Sequence, residues 1–162
     1  MLPYSGVYAG LGEAATNGLK QAIREHGNKI AGRPVEFLLS DTEAKPARAP
    51  ELTSAMTDKD KADFVIGPVH SGVAMGMIKS IRGKDSIMII PNAGINAATG
   101  AFCQPNVFRT SFSSWQTAYP MGAEAVKMGY KKVVTMSWNY GFGKESLAAF
   151  EESFEAAGGD VV

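Results

Sequence analysis

Cysteine is nearly missing from this chain: Cys103 stands alone, which excludes a disulfide within it. A single thiol leaves the redox compartment open. Its surroundings, Ala101-Phe102-Cys103-Gln104-Pro105, hold nothing that would lower its pKa, so nucleophilic chemistry is not expected there. Histidine is almost as scarce. His26 and His70 are the only two, with no spacing that builds a metal site, and no metal or cofactor is expected. An excess of one charge is also missing, since sixteen basic residues face sixteen acidic ones. That balance, with no Lys/Arg cluster, excludes the electrostatic footprint of a nucleic-acid binder. No apolar run approaches the roughly 18 residues that span a bilayer, so membrane insertion is not expected. Met1-Leu2-Pro3-Tyr4-Ser5-Gly6 has neither the charged start nor the apolar centre of a signal peptide. The phosphate-binding loop, the nucleophile elbow and the zinc-protease helix motif are absent. Gly10-Leu11-Gly12 is half of a dinucleotide fingerprint, without the third glycine or a full preceding strand. The expectation is a protein that is not an enzyme.

What is there is an alternation. With 162 residues, 45% hydrophobic and 20% charged, the chain has the size and composition of one globular domain. Val35–Ser40, Asp63–Gly67, Ser86–Pro91 and Lys131–Trp138 are short, apolar and rich in β-branched residues, as buried strands are. Asn106–Ser111 is a weaker strand candidate. Helical patterns lie between them: Gly12–His26 with Ala15, Leu19, Ala22 and Ile23 on one stripe, then Pro46–Thr57, Ser71–Arg82, Ser113–Met128 and Phe142–Ala157. Gly27 is placed to stop the first helix, and Pro50 leaves the register of the second uncertain. Strands alternating with helices of crossover length predict an α/β domain with a mainly parallel sheet.

Ligands of such sheets bind beyond the carboxyl ends of the strands. The loops there are Gly67-Pro68-Val69-His70-Ser71-Gly72, Pro91-Asn92-Ala93-Gly94-Ile95-Asn96 and Asn139-Tyr140-Gly141-Phe142-Gly143. Pro3-Tyr4-Ser5-Gly6-Val7-Tyr8-Ala9-Gly10 holds the equivalent place before the first helix. Small residues admit a ligand close to the backbone, and a helix N-terminus favours an anion.

In this order these segments resemble the type I periplasmic binding proteins of the leucine/isoleucine/valine-binding family, receptors of branched-chain-amino-acid-type ABC transporters. The pieces that carry the resemblance are the opening SG-x-YAGLGEAATNG, then LLSD, FVIGPVHSG, IIPNAG, VFRTSFS-x-WQ and WNYGFGKES, spread over essentially the whole chain. The resemblance implies a three-layer αβα fold with a flavodoxin-like strand order 2-1-3-4-5. It implies that residues 1–162 are a partial N-terminal ligand-binding lobe, with the first strand largely missing and the second lobe absent. A marginal or rearranged domain is then expected. The implied function is a periplasmic substrate-binding component of an ABC-type importer, with a small-molecule ligand and a membrane permease as partners. A ligand-sensing domain of a regulator or receptor is the alternative with the same fold.

Residue by residue, the resemblance gives Ser71 the hydroxyl and N–H that meet a ligand carboxylate. Asn92, Ala93 and Gly94 fall on the loop that offers a backbone carbonyl and a Thr hydroxyl in amino-acid receptors. Tyr140 falls on the aromatic cleft wall, and Leu11 with Tyr8 falls where an apolar or aromatic side chain meets the ligand. His70 stands where small or neutral residues are common. Ser71 is equally readable as a helix N-cap, the two roles being compatible, and Tyr4, Tyr8 and Tyr140 are readable as packing. Trp138 is expected to end its strand inside the protein, Trp115 to cover the sheet or rim the hinge, and Arg109 to pair with a carboxylate near the hinge. Gly94 lacks the hydroxyl of amino-acid receptors. With His70 and the PNAG form of its loop, this directs the expectation toward a small carboxylate of the amino-acid or aromatic-acid type.

Overall fold

The computed structural model describes all 162 residues. Helix α1 (Ala9–Glu25) follows a short 3-10 turn and ends at Gly27, whose φ of 69° is the left-handed conformation that stops a helix. A small antiparallel hairpin, β1 (Lys29–Ile30) and β2 (Arg33–Pro34), turns on Ala31 and Gly32, both at positive φ. Helix α2 (Ala49–Ser54) runs on as a π-helical turn, Ala55–Lys59. Strand β3 (Phe64–Ile66), helix α3 (Ser71–Ser80), strand β4 (Ile87–Ile90) and strand β5 (Val107–Arg109) follow. Helix α4 (Ser114–Lys127), strand β6 (Lys132–Val133), helix α5 (Gly141–Ala156) and strand β7 (Asp160–Val161) complete the chain. No helix is long and apolar enough to cross a membrane.

β3, β4 and β5 form a parallel sheet in that order, with Val65 beside Met88 and Met88 beside Val107. The free edge of β3 is taken by the N-terminal residues, where the Met1 amine donates to Ile66 O at 2.9 Å. Leu2 bridges in parallel to Asp41, its N–H on Ser40 O and its carbonyl on Thr42 N–H. The lateral order is therefore the Val35–Asp41 segment, Met1–Leu2, β3, β4 and β5, which in chain order is second, first, third, fourth, fifth. That is the expected α/β order. The Val35–Ser40 strand itself does not form as a ladder. Met1–Leu2 reaches Ser40–Thr42 and no further, and Val35 N–H bonds back to Asn28 O, so residues 35–40 run without a ladder.

One sheet face is filled. Val65, Met88, Ile90 and Val107 pack under Ala49 and Met56 of α2 with its π turn, and under Val73, Ala74, Met77, Ile78 and Ile81 of α3. The period-2 burial of β4, alternately half-buried and buried, reflects this one-sided packing. Met1 belongs to the same core, and a Cβ on Gly67 would collide with the Met1 carbonyl oxygen.

β6 and β7 pair with each other and not with the first sheet. α4 and α5 cross closely above them: Gly122 has no room for a Cβ against the Phe150 carbonyl, and Ala123 N–H donates to Ser153 Oγ at 3.1 Å. The Lys131–Trp138 strand is thus mostly unformed. Only Lys132–Val133 finds a partner, and Trp138 is 74% exposed rather than inside the protein.

Burial holds the Met1 amine at about 6, below its ordinary 8.0. An amine that is harder to protonate when folded adds stability above its unfolded pKa, and this is lost as pH falls through the folded one. In the 162-residue chain, stability in urea should therefore rise by about 2–3 kcal/mol from pH 5.5 to pH 8.5. N-terminal acetylation keeps an N–H for Ile66 and should flatten most of that rise. An equal pH dependence in both forms would contradict the assignment.

Candidate binding cleft

The filled face beneath α3 brings the helix start to the carboxyl edge of the sheet, where the expected loops gather. A cavity of about 120 Å³ opens there, lined by Tyr8, Leu11, Val69, His70, Ser71, Asn92, Gly94, Phe112, Tyr140 and Phe142. A wider outer cavity of about 230 Å³ continues past Tyr8, His70 and Tyr140 to Val7, Ala44, Trp138 and Asn139. Seven of the eight expected site residues therefore line one cleft. Ala93 does not: it is 1% exposed, packed in the core, with its N–H on Pro68 O.

His70, not Ser71, is the cap of α3. Its Nδ1 accepts from Gly72 N–H at 3.0 Å, which leaves Nε2 to carry the ring proton in the neutral form. Burial lowers the His70 pKa below its usual 6.5. Ser71 is 1% exposed, and its buried hydroxyl finds no hydrogen-bond partner in the chain. An unsatisfied buried hydroxyl costs about 1–3 kcal/mol and needs an explanation. The backbone repeats the pattern, because the first amide to close onto α3 is Ala74, on His70 O. The Ser71 and Val73 amides are unused by the helix.

A second helix start meets the first. α5 begins at Gly141, where an added Cβ would lie 3.2 Å from the Ser71 Cβ. Two helix N-termini therefore converge on one small space, each contributing partial positive charge. Around them stand rings. His70 stacks on Tyr140 at 4.7 Å between centroids, and Tyr8 meets His70 edge-on at 6.4 Å. Burial and a hydrogen bond with Tyr8 push the Tyr140 phenol up to about 12, so it stays protonated. No Asp or Glu lines either cavity.

The remaining loop is set by contact. Gly94 O accepts both the N–H and the hydroxyl of Ser114 at 2.7 Å, and a Cβ on Gly94 would lie 3.0 Å from Ser114 N. A threonine at 94 would press into that junction. Asn92 holds the loop through its carbonyl, which accepts from Ser111 Oγ, while its side-chain amide makes no bond within the chain. Arg109 pairs with no carboxylate, contrary to expectation, and donates instead to Ile95 O at 2.8 Å. Trp115 is half-exposed and stacks on Tyr119 at 4.3 Å. Phe112, Phe142 and Val69 are cleft residues that sequence reasoning did not single out. All three lie in loops it had placed at strand ends or within the matched motifs.

A family profile for periplasmic binding proteins matches residues 1–162. The chain belongs to that family. Among curated proteins it is 32% identical to a Leu/Ile/Val-binding protein homologue of Brucella abortus, over 99% of this chain and 41% of the relative. Among solved structures it is similar to an ABC-transporter solute-binding protein of R. palustris in complex with benzoate. There the identity is 47% and the TM-score 0.94, over 99% of this chain and 45% of that one. A second, from Rhodopseudomonas palustris HaA2 in complex with p-hydroxybenzoic acid, is 32% identical with a TM-score of 0.90, over 99% of this chain and 44% of that one. The chain spans less than half the length of these relatives. Its fold is the α/β fold of type I periplasmic binding proteins.

The orphaned hydroxyl supplies a test. Because Ser71 Oγ bonds to nothing in the fold, Ser71→Ala should leave stability unchanged or raise it by up to about 1 kcal/mol. His70→Ala removes a helix cap and should cost about 1 kcal/mol, which His70→Asn recovers. Urea unfolding measures both, and a clear loss in Ser71→Ala would mean a structural role for its hydroxyl.

Proposed function

We propose that this chain forms the carboxylate-binding part of a solute-binding protein of an ABC importer, working in the periplasm with a membrane permease and taking an aromatic carboxylate of the benzoate class. The observation that carries the reading is the buried, partnerless Ser71 hydroxyl, set where the N-termini of α3 and α5 converge in a cavity walled by rings. A carboxylate placed there accepts from the Ser71 hydroxyl and from the unused first-turn amides. Charge-assisted bonds of this kind contribute about 1.5–3 kcal/mol each. The aromatic body of the ligand packs on Tyr140, Tyr8, Phe112 and Phe142, where ring–ring contacts add to the burial of apolar area.

The choice between aromatic acid and amino acid turns on the amine. An α-ammonium needs acceptors, and this part of the cleft offers no carboxylate and, at Gly94, no hydroxyl. The contact of Gly94 with Ser114 explains why none fits. The benzoate and p-hydroxybenzoate complexes of the similar structures support the same choice.

In this proposal residues 114–162 begin the opposing lobe, whereas the sequence alone led to one partial N-terminal lobe over 1–162. Their sheet is separate, and they bring Tyr140 and Phe142 to the cleft from the far side. The exposed Val134, Met136 and Trp138 fit a sheet whose further strands lie outside these residues.

Calorimetry on the full-length protein should show benzoate binding in the micromolar range, about −8 kcal/mol, with leucine at least a hundredfold weaker. Ser71→Ala should weaken benzoate about 10- to 100-fold. Leucine binding tighter than benzoate would contradict the reading.

A further inference from the structure

One peptide unit in the structure is held from both ends by opposite charges. The carbonyl of the Ile95–Asn96 peptide accepts from Arg109 Nη1 at 2.8 Å, and Arg109 is the last residue of β5. The N–H of the same peptide donates to both carboxylate oxygens of Glu145, at 3.0 and 3.2 Å, and Glu145 lies on α5. The Asn96 side chain adds a third tie, its Oδ1 accepting from Trp115 N–H at the start of α4. A guanidinium on the carbonyl polarises the peptide and makes its N–H a better donor to the carboxylate.

The placement matters more than the bonds themselves. α5 begins at Gly141, directly after Tyr140, and Glu145 lies one turn inside it. Apart from the Tyr8–Tyr140 hydroxyl contact, the Glu145 bonds are the only hydrogen bonds from residues 116–162 to residues 1–110. The β6–β7 sheet shares no ladder with β3–β5, so beyond these bonds α5 is held to the first sheet through its packing on α4, whose first residues bond to Gly94 and Asn96. The Asn96 amide that donates to Glu145 follows Gly94 and Ile95 on the loop that also lines the cavity.

We propose that Glu145 is a positioning residue: by gripping the Asn96 amide it holds the start of α5, with Tyr140 and Phe142, against the α3 side of the cleft, and so sets how long a ligand stays bound. This rests on the reading of the cleft given above. A carboxylate that never touches the ligand then controls dissociation, because the ligand leaves only when the two walls part. Association starts from parted walls and is little affected.

The test uses the full-length protein with Glu145→Ala and Glu145→Gln. In stopped-flow fluorescence with benzoate, Glu145→Ala should raise the dissociation rate about tenfold with the association rate within about threefold, and Glu145→Gln should fall between Glu145→Ala and the unchanged protein. Spin labels on Cys103, an exposed thiol between β4 and β5, and on Glu155→Cys, exposed on α5, read the walls without ligand. Glu145→Ala should broaden their distance distribution toward longer separations. A loss of affinity carried wholly by the association rate, or an unchanged label distribution, overturns the proposal. If benzoate fails to bind the unchanged protein while the labels still separate in Glu145→Ala, the ligand reading fails and the clasp stands.

Discussion

The cleft depends on the burial of α3. Val73, Ala74, Met77 and Ile78 have no exposed surface, and they lie on Met88 and Ile90 of the central strand, which are equally buried. A helix packed this closely cannot slide or rotate without opening voids in the core. Its first turn is therefore fixed relative to the sheet edge. His70 then caps it, which uses the imidazole nitrogen nearest the backbone and leaves the Ser71 hydroxyl with no partner of its own. The unsatisfied group is a consequence of the packing and is available to a ligand for the same reason.

The two sides of the cavity come from different helices. α3 brings Ser71 and His70, while α5 brings Tyr140 and Phe142. Gly141 lets the two helix starts come within contact distance of each other. Neutral groups suit such a site. Burial keeps His70 below its usual pKa and Tyr140 at about 12, so both stay uncharged at neutral pH. In the proposed reading, a ligand carboxylate would meet hydroxyl, amides and helix ends instead of a counter-ion. The charged groups nearby, Arg109 and Glu145, are both occupied with the Ile95–Asn96 peptide.

Much of this was legible in the sequence because it is local. The stop at Gly27 and the strand-end loops sit within a few residues of the groups they act on. The αβ alternation and seven cleft residues followed from those signals together with the family resemblance. Pairing is not local, and there the reading failed. Val35–Ser40 and Val134–Trp138 have the β-branched and apolar composition of strands, yet composition supplies no partner, and neither forms a ladder. The Lys29–Pro34 hairpin was too short to show a pattern. The capping role of His70 was hidden because Ser is the more usual cap. Arg109 and Glu145 take a backbone group each of one peptide, and Glu145 reaches Asn96 from 49 positions away, a contact that no motif spacing reveals.

On the proposed function, a ligand carboxylate completes the partnerless Ser71 hydroxyl. A crystal structure of the full-length protein with benzoate tests this most directly. The account predicts a carboxylate oxygen about 2.5–3.0 Å from Ser71 Oγ, a second contact to the first-turn amides of α3, and the ring against Tyr140. A carboxylate bound elsewhere, with the Ser71 hydroxyl still without a partner, would contradict it.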